Sequence, residues 1–223
     1  MFNLSLLIGG LFQLLSQSQG INSVQPIATG QTIVTDQRIV GSFQDGGATI
    51  SILPVKDSKL FEAERKDGKK ISVYGDSKEE IAFYSKAYII TIEQGDLQYI
   101  LAGALTNIKG QLFMDVLSVT AGKKDTQGNE GLGFEFNSNY FSTFNIAKVG
   151  FGQNGQLFLQ FLRGDFMKEQ ILAGRMLLKH EHEPLFDNFL ITASSKDWYM
   201  FLEKYGHDNR LFDAKPVVLN RKG

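Results

Sequence analysis

The sequence predicts a mainly β protein, an antiparallel β-barrel or twisted sandwich with two or three short helices, mostly in the C-terminal third. Three apolar runs, residues 88–93, 97–106 and 112–119, follow one another with only short turns between them, which is typical of a strand meander. Two further apolar runs within residues 141–162 flank an Asn-Gly dipeptide. The 23 glycines are spread along the chain and only 4 prolines occur, as expected for many turns between strands.

The clearest of these features is a hairpin in residues 141–162. Its predicted turn is Gln153-Asn154-Gly155, and Asn-Gly accepts the positive φ angles of a tight primed turn. The second strand carries large apolar side chains on both faces, Leu159 on one and Phe158 on the other. Such a strand is typical of a sheet interior that is covered on both sides. We therefore expect the hairpin to stabilise the fold and to contact no ligand.

Short strands are also predicted before the meander. Residues 38–43 and 48–53 are separated by a Gly-Gly pair and predict an opening hairpin. Residues 59–64 and 70–74 predict a second hairpin around an Asp-Gly turn. Residues 32–34 predict one isolated short strand.

Capping residues predict where the helices begin and end. Ser77 and Glu80 have the spacing of a capping box, which predicts one or two helical turns. Asp165 is predicted to cap a helix over residues 166–173, and Gly174 follows as its C-terminal signal.

The clearest helix follows Ser194 or Ser195, either of which is a suitable N-cap. Four large side chains fall on one face of this helix, at Trp198, Phe201, Leu202 and Tyr205. A face this aromatic predicts core packing, and Gly206 is expected to end the helix. The remaining C-terminal strands are predicted at residues 175–181, 189–192 and 215–220.

The chain divides into three predicted parts, residues 1–18, 19–37 and 38–223. The first begins with 15 largely apolar residues, too few to span a bilayer as a helix but suitable for a secretory signal. Ser16 and Ser18 have the small side chains that signal peptidase requires, although no Lys or Arg precedes the apolar run. The alternative is a retained amphipathic helix that docks on the domain, on a membrane surface or on a partner. Residues 19–37 are predicted to be a polar linker, and residues 38–223 one β-rich domain.

Composition excludes several kinds of chemistry. The chain has 23 basic and 24 acidic residues, and this balance predicts no nucleic-acid partner because phosphate contacts need a strongly basic face. It has no cysteine, which excludes disulfides, thiolate metal ligands, a Cys nucleophile and lipid attachment through Cys.

Two stretches of the chain carry short recognisable motifs. Arg38-Ile39-Val40-Gly41-Ser42-Phe43, followed by Asp45-Gly46-Gly47, is similar to the L-V-G-x-W opening of small lipocalin-like envelope proteins, with Phe43 in place of Trp. Leu190-Ile191-Thr192-Ala193-Ser194-Ser195, then Phe201-Leu202-Glu203-Lys204-Tyr205 and Leu211-Phe212, resemble the C-terminal end of a family of uncharacterised bacterial cell-envelope lipoproteins. The resemblance implies a β-barrel or sandwich domain of the cell envelope and carries no catalytic residue. The lipidation Cys of that family is missing here.

One arrangement predicts a weak metal site. His180 and His182 alternate with two glutamates, so a strand would place both imidazoles on one face. With Asp187 they would supply three ligands for a transition metal. No further His or Cys stands at a recognised spacing, and a polar strand end with mixed charges is the commoner explanation. The interpretation is therefore that no metal is bound.

No catalytic or cofactor motif is recognised. Residues 128–133 are rich in glycine, but no Lys-Ser or Lys-Thr follows them and an extended run comes next, so the broader stretch 121–133 is interpreted as a mobile loop. A Gly-x-Ser-x-Gly nucleophile elbow does not occur. A triad or a carboxylate pair assembled from distant residues has no signature in sequence.

The sequence thus favours a non-catalytic, envelope-associated binding or accessory subunit, exported to the periplasm or envelope, with a protein partner or a membrane surface. One alternative is a lipocalin-like carrier that holds an apolar small ligand inside the barrel. A hydrolase whose site has no sequence signature is the third.

Overall fold

The computed structural model describes residues 21–58, 62–64, 70–72, 77–123, 143–185 and 187–222. It is mainly β, with 46% of residues in strands, and it contains a closed eight-stranded antiparallel barrel. The predicted fold class is therefore confirmed, and the barrel is the correct one of the two predicted architectures.

The described elements are fourteen strands and three α-helices. The strands are β1 Asn22–Ser23, β2 Ile33–Val34, β3 Gly41–Asp45, β4 Ala48–Pro54, β5 Glu62–Glu64, β6 Lys70–Ser72, β7 Tyr88–Gln94, β8 Leu97–Ile108, β9 Gln111–Lys123, β10 Phe144–Phe151, β11 Leu157–Phe161, β12 His180–Glu183, β13 Asn188–Ile191 and β14 Val217–Arg221. The helices are α1 Lys78–Tyr84, α2 Gly164–Leu172 and α3 Ser195–Tyr205. The meander, both early hairpins, the short strand near residue 33 and the last strand are confirmed.

The barrel closes through the predicted hairpin. Its strand order is β11-β14-β3-β4-β7-β8-β9-β10, and the pairing of β10 with β11 joins the two ends. The sheet also extends away from the barrel at β10. There β1 pairs with β10, β13 pairs with β1, and β12 pairs with β13. The β1–β13 pairing is parallel, whereas the barrel pairs are antiparallel. β5 and β6 form a separate hairpin.

The hairpin turn has the predicted conformation. Asn154 and Gly155 have φ angles of 56° and 73°, which Asn and Gly adopt with the least strain. In β11, Leu159 faces the barrel interior, and Phe158 on the outer face is half-buried. The strand is thus covered completely on its inner face and partly on its outer face.

The barrel interior is filled by side chains. Alternate residues of all eight strands point inward and form one cluster in which no buried member is more than 7% exposed. Its larger members are Phe43, Ile50, Ile52, Tyr88, Ile90, Ile92, Leu101, Leu105, Met114, Leu157, Leu159, Phe161 and Leu219. An apolar core this tightly filled makes the barrel a rigid scaffold.

A second core lies outside the barrel, under α2 and α3. Ser194, one of the two N-caps that the sequence allows, caps α3, and it forms a capping box with Asp197 of the first turn. The aromatic face of α3 then packs on the outer surface of β9 and β10, where Phe113 and Ile146 are buried. Trp198 is fully buried and its indole Nε1 donates to Ser23 Oγ at 2.7 Å. The indole therefore ties α3 to the N-terminal strand β1.

Three local predictions differ from the structure. The segment predicted as a linker is packed from residue 21 onward, because its isoleucines, such as Ile27 and Ile33, fill the outer cores. α2 is capped by Arg163 without a side-chain bond, and Asp165 lies inside its first turn, paired with Arg163. The strand predicted over residues 175–181 begins only at β12, since the preceding residues follow α2 without pairing in the described sheet.

Two predicted features lie outside the described residues. They are the apolar segment 1–18 and residues 124–133, most of the glycine-rich loop. Among the residues that the structure describes, no helix combines the length and the apolar composition needed to cross a membrane.

Candidate functional site

An apolar cleft lies on the outer face of the barrel, and we call it the outer cleft. Its volume is about 340 Å³. The floor is the outer surface of β7, β8 and β9, one wall is α1 and the other is the segment at Pro26. The cleft is lined by Pro26, Val55, Phe83, Tyr84, Ala87, Ile89, Ala102, Gly103, Ala104, Asp115, Leu117, Val119 and Phe144.

The cleft forms where small side chains on the outer face of the barrel lie beside larger ones. Ala102 and Ala104 face outward on β8, next to Leu117 and Asp115 on β9. Their methyl groups leave a depression in the sheet surface, which Phe83 of α1 borders without filling. α1 itself is fixed by the predicted capping box between Ser77 and Glu80.

The rim of the outer cleft displays large apolar side chains. Tyr84 and Val119, which line it, are 41% and 39% exposed. Ile81, one turn earlier on α1, is 46% exposed, and Leu53, the strand partner of the cleft residue Ile89, is 40% exposed. Exposed apolar side chains beside an apolar depression mark a binding site more often than isolated exposed residues do.

Asp115 is the single ionisable group in the floor of the outer cleft. Its neighbours in β9, Met114 and Val116, point into the barrel, so its carboxylate points outward, and it is 2% exposed. Oδ1 accepts from the Ile27 N–H and Oδ2 from the Ala28 N–H, both at 2.8 Å. Burial raises the pKa of Asp115 to about 7, against the opposing effect of these two hydrogen bonds. The carboxyl anchors the N-terminal segment to the barrel.

A second open surface, the α3 groove, lies between α3 and residues 174–180. Its volume is about 640 Å³. Leu177 and Met200, which line it, are 83% and 50% exposed. Leu172, at the nearby end of α2, is 48% exposed. The floor contains Phe201 and Met176 of the second core.

The charged groups of the α3 groove are mainly basic. Arg175 is paired with Glu169 at 2.9 Å. Lys179 and Lys204 form no ion pair within the part of the chain that the structure describes, and Lys204 lies 4.7 Å from the centre of the Tyr205 ring. The carboxylate of Asp197 is occupied by the helix cap, since it accepts from the Ser194 hydroxyl.

The predicted metal ligands are brought together only in part. His180 and His182 share one face of β12, as predicted, with ring centroids 5.1 and 6.0 Å from that of Phe189. His180 Nδ1 hydrogen-bonds the Leu178 carbonyl. Asp187 is paired with Lys168, which lowers the pKa of this carboxyl, and its Oδ1 lies 3.7 Å from His182 Nε2. No group of three His, Cys, Asp or Glu side chains within the described ranges is placed to hold a metal ion.

Neither of the two open surfaces was predicted. A lone carboxylate within the apolar run 112–117 was a usable sign of Asp115, because a buried charge in a strand needs partners from elsewhere in the fold. The α3 groove had no such signal, since Leu177 and Met200 look like core residues in the sequence.

Comparison with known proteins gives no match, whether to a protein-family model, to a curated protein or to a solved structure. The resemblance to envelope lipoproteins therefore stays a prediction.

Proposed function

We propose that this chain is a non-catalytic binding protein of the cell envelope, an accessory subunit that joins a larger assembly through its outer cleft. One observation carries the proposal, the exposed apolar side chains of Tyr84 and Val119 at the rim of an apolar depression, with Ile81 exposed on the same helix as Tyr84. Covering this rim with a partner removes apolar surface from water, at roughly 25 cal/mol per Å².

The scaffold under the cleft supports this use. The floor strands belong to a barrel whose interior is filled, and α1 is capped at its N-terminus. A rigid, preformed surface loses little conformational entropy when a partner binds. The envelope location rests on the apolar segment 1–18 and on the family resemblance.

The direct test measures how much of the partner stays bound when the exposed apolar residues beside the outer cleft are replaced by charged ones. Ile81→Glu combined with Tyr84→Glu places two charges on exposed positions of α1, where neither side chain contributes to the buried core. After mild extraction from the producing cells, we expect the native chain to carry a stable partner and the double variant to retain at least about 10-fold less of it, which is about 1.4 kcal/mol of binding free energy.

The matched control is Leu185→Glu, which charges an 80% exposed leucine outside the outer cleft. This variant should retain the partner fully. A native chain that is extracted as a free monomer, or equal partner retention by the rim variant and the control, would contradict the proposal.

The second candidate function is that of a carrier for an apolar small ligand. Buried apolar side chains occupy the barrel interior, so the outer cleft would hold such a ligand. A volume of about 340 Å³ lies at the small end of the range for small-molecule pockets. Native mass spectrometry of the extracted protein tests this function: an added mass that Ala104→Phe abolishes would support it, and a bare chain would rule it out.

A further inference from the structure

We infer that the α3 groove is a second interaction surface, and that it binds an extended segment of a partner protein carrying apolar side chains and carboxylates. This goes beyond the proposed function, because it concerns a different face of the molecule and a different set of contacts.

The apolar part of the partner is indicated by side chains that the fold leaves uncovered. Leu177 packs against almost nothing, being 83% exposed, while its neighbour Leu178 is buried. Met200 stands opposite Leu177 across the groove and is half exposed. The buried Phe201 lies at the base between them. Apolar side chains inserted here would contact all three residues.

The extended conformation is indicated by a free strand edge. β12 pairs with β13 alone among the described strands, and its first residue, His180, lines the groove. The Thr192 N–H donates to the Lys179 carbonyl, so Lys179 faces β13, and the next residue, His180, turns its backbone groups to the free edge. A strand edge with unpaired N–H groups is the surface on which a partner strand forms main-chain hydrogen bonds.

The carboxylates are indicated by charge complementarity. Lys179 on one wall and Lys204 on the other have no ion-pair partner in the described ranges. The acid of the groove, Asp197, is held by its helix cap. Asp197 keeps its negative charge, so the lining carries two cations that are unpaired within the described residues, Lys179 and Lys204, against this one carboxylate, which favours an acidic partner over a basic one.

A protein segment fits these observations better than a membrane does. Anionic lipid headgroups would also pair with the two lysines, but a bilayer surface would not enter a groove between two walls. Nor would lipid supply a strand that pairs with the free edge of β12.

The probe is a random decapeptide display library, selected on the immobilised full-length chain. We expect enriched sequences that alternate apolar residues with Asp or Glu. The combined change Lys179→Glu and Lys204→Glu should weaken the selected peptides at least about 10-fold, and so should Leu177→Asp. Lys215→Glu and Leu185→Asp change exposed residues outside the groove and should leave peptide binding unaltered. Thermal unfolding of each variant checks that the fold is retained.

Three outcomes would overturn the inference. The first is a selection that enriches no peptide or enriches basic ones. The second is peptide binding that the groove variants leave unchanged. The third is co-sedimentation with phosphatidylglycerol vesicles that the groove variants abolish, without any selected peptide, which would make the groove a membrane surface. The rim variant Ile81→Glu with Tyr84→Glu should still bind the selected peptides, so failure here and failure of the proposed function are distinguishable.

Discussion

Replacing Trp198 by alanine is expected to lower the free energy of unfolding by about 3–5 kcal/mol, the usual cost of removing a fully buried large aromatic residue. Its ring lies at the centre of the second core, 5.7 Å from the Phe201 ring, and its Nε1 donates to Ser23 Oγ. The substitution would leave a cavity and remove the hydrogen bond that links α3 to β1, so both effects act in the same direction.

Urea unfolding measures this loss, with Met200→Ala as the matched control. Met200 lies in the same helix and is half exposed, so its truncation should cost less than about 1 kcal/mol. Similar midpoints for the two variants would show that α3 does not depend on the buried indole.

The contribution of Asp115 to stability is expected to fall as the pH rises from about 4 to about 7. The pKa of this carboxyl is 3.8 in the unfolded reference and about 7 in the folded protein, because burial disfavours the charged form. Within this window the folded chain holds a proton that the unfolded chain has released, so raising the pH favours unfolding. At about 1.4 kcal/mol for each pH unit, the loss amounts to about 4 kcal/mol.

Asp115→Asn isolates this contribution. The amide does not titrate, so the stability of the variant relative to the native chain should rise by several kcal/mol between pH 4 and pH 8, as measured by urea unfolding at each pH. Carboxyls whose pKa is lowered by an arginine, such as Asp36 and Asp208, lose their contribution below about pH 4 and are common to both proteins. Parallel stability curves would mean that Asp115 is charged throughout the range.

The barrel could be predicted because its signals are local. The Asn-Gly turn, the alternation in β7 to β9, the capping box at Ser77 and the N-cap at Ser194 or Ser195 each act within a few residues. They determine where strands and helices begin, and antiparallel neighbours joined by short turns then pair. The prediction of Asp165 as the N-cap of α2 is wrong because Asp is favoured both at the cap and in the first turn, where the structure places it.

The outer cleft could not be predicted because it depends on contacts between distant residues. Asp115 meets Ile27 and Ala28, which are 88 and 87 residues away in sequence. Residues 21–37 look polar, and their few isoleucines find a core only once the barrel offers its outer face. The same holds for Asp187, in the turn after β12, which lies close to His182 but pairs with Lys168 of α2, a residue that cannot complete a metal site.

The central claim is that the filled barrel is a scaffold and that binding takes place on its outer surface. Hydrogen–deuterium exchange of the complex obtained by mild extraction, compared with the free chain, tests it most directly. We expect slower exchange in α1 and in the part of β9 near Val119, with no change at the Gln153–Gly155 turn. Protection at that turn with none in α1 would contradict the claim.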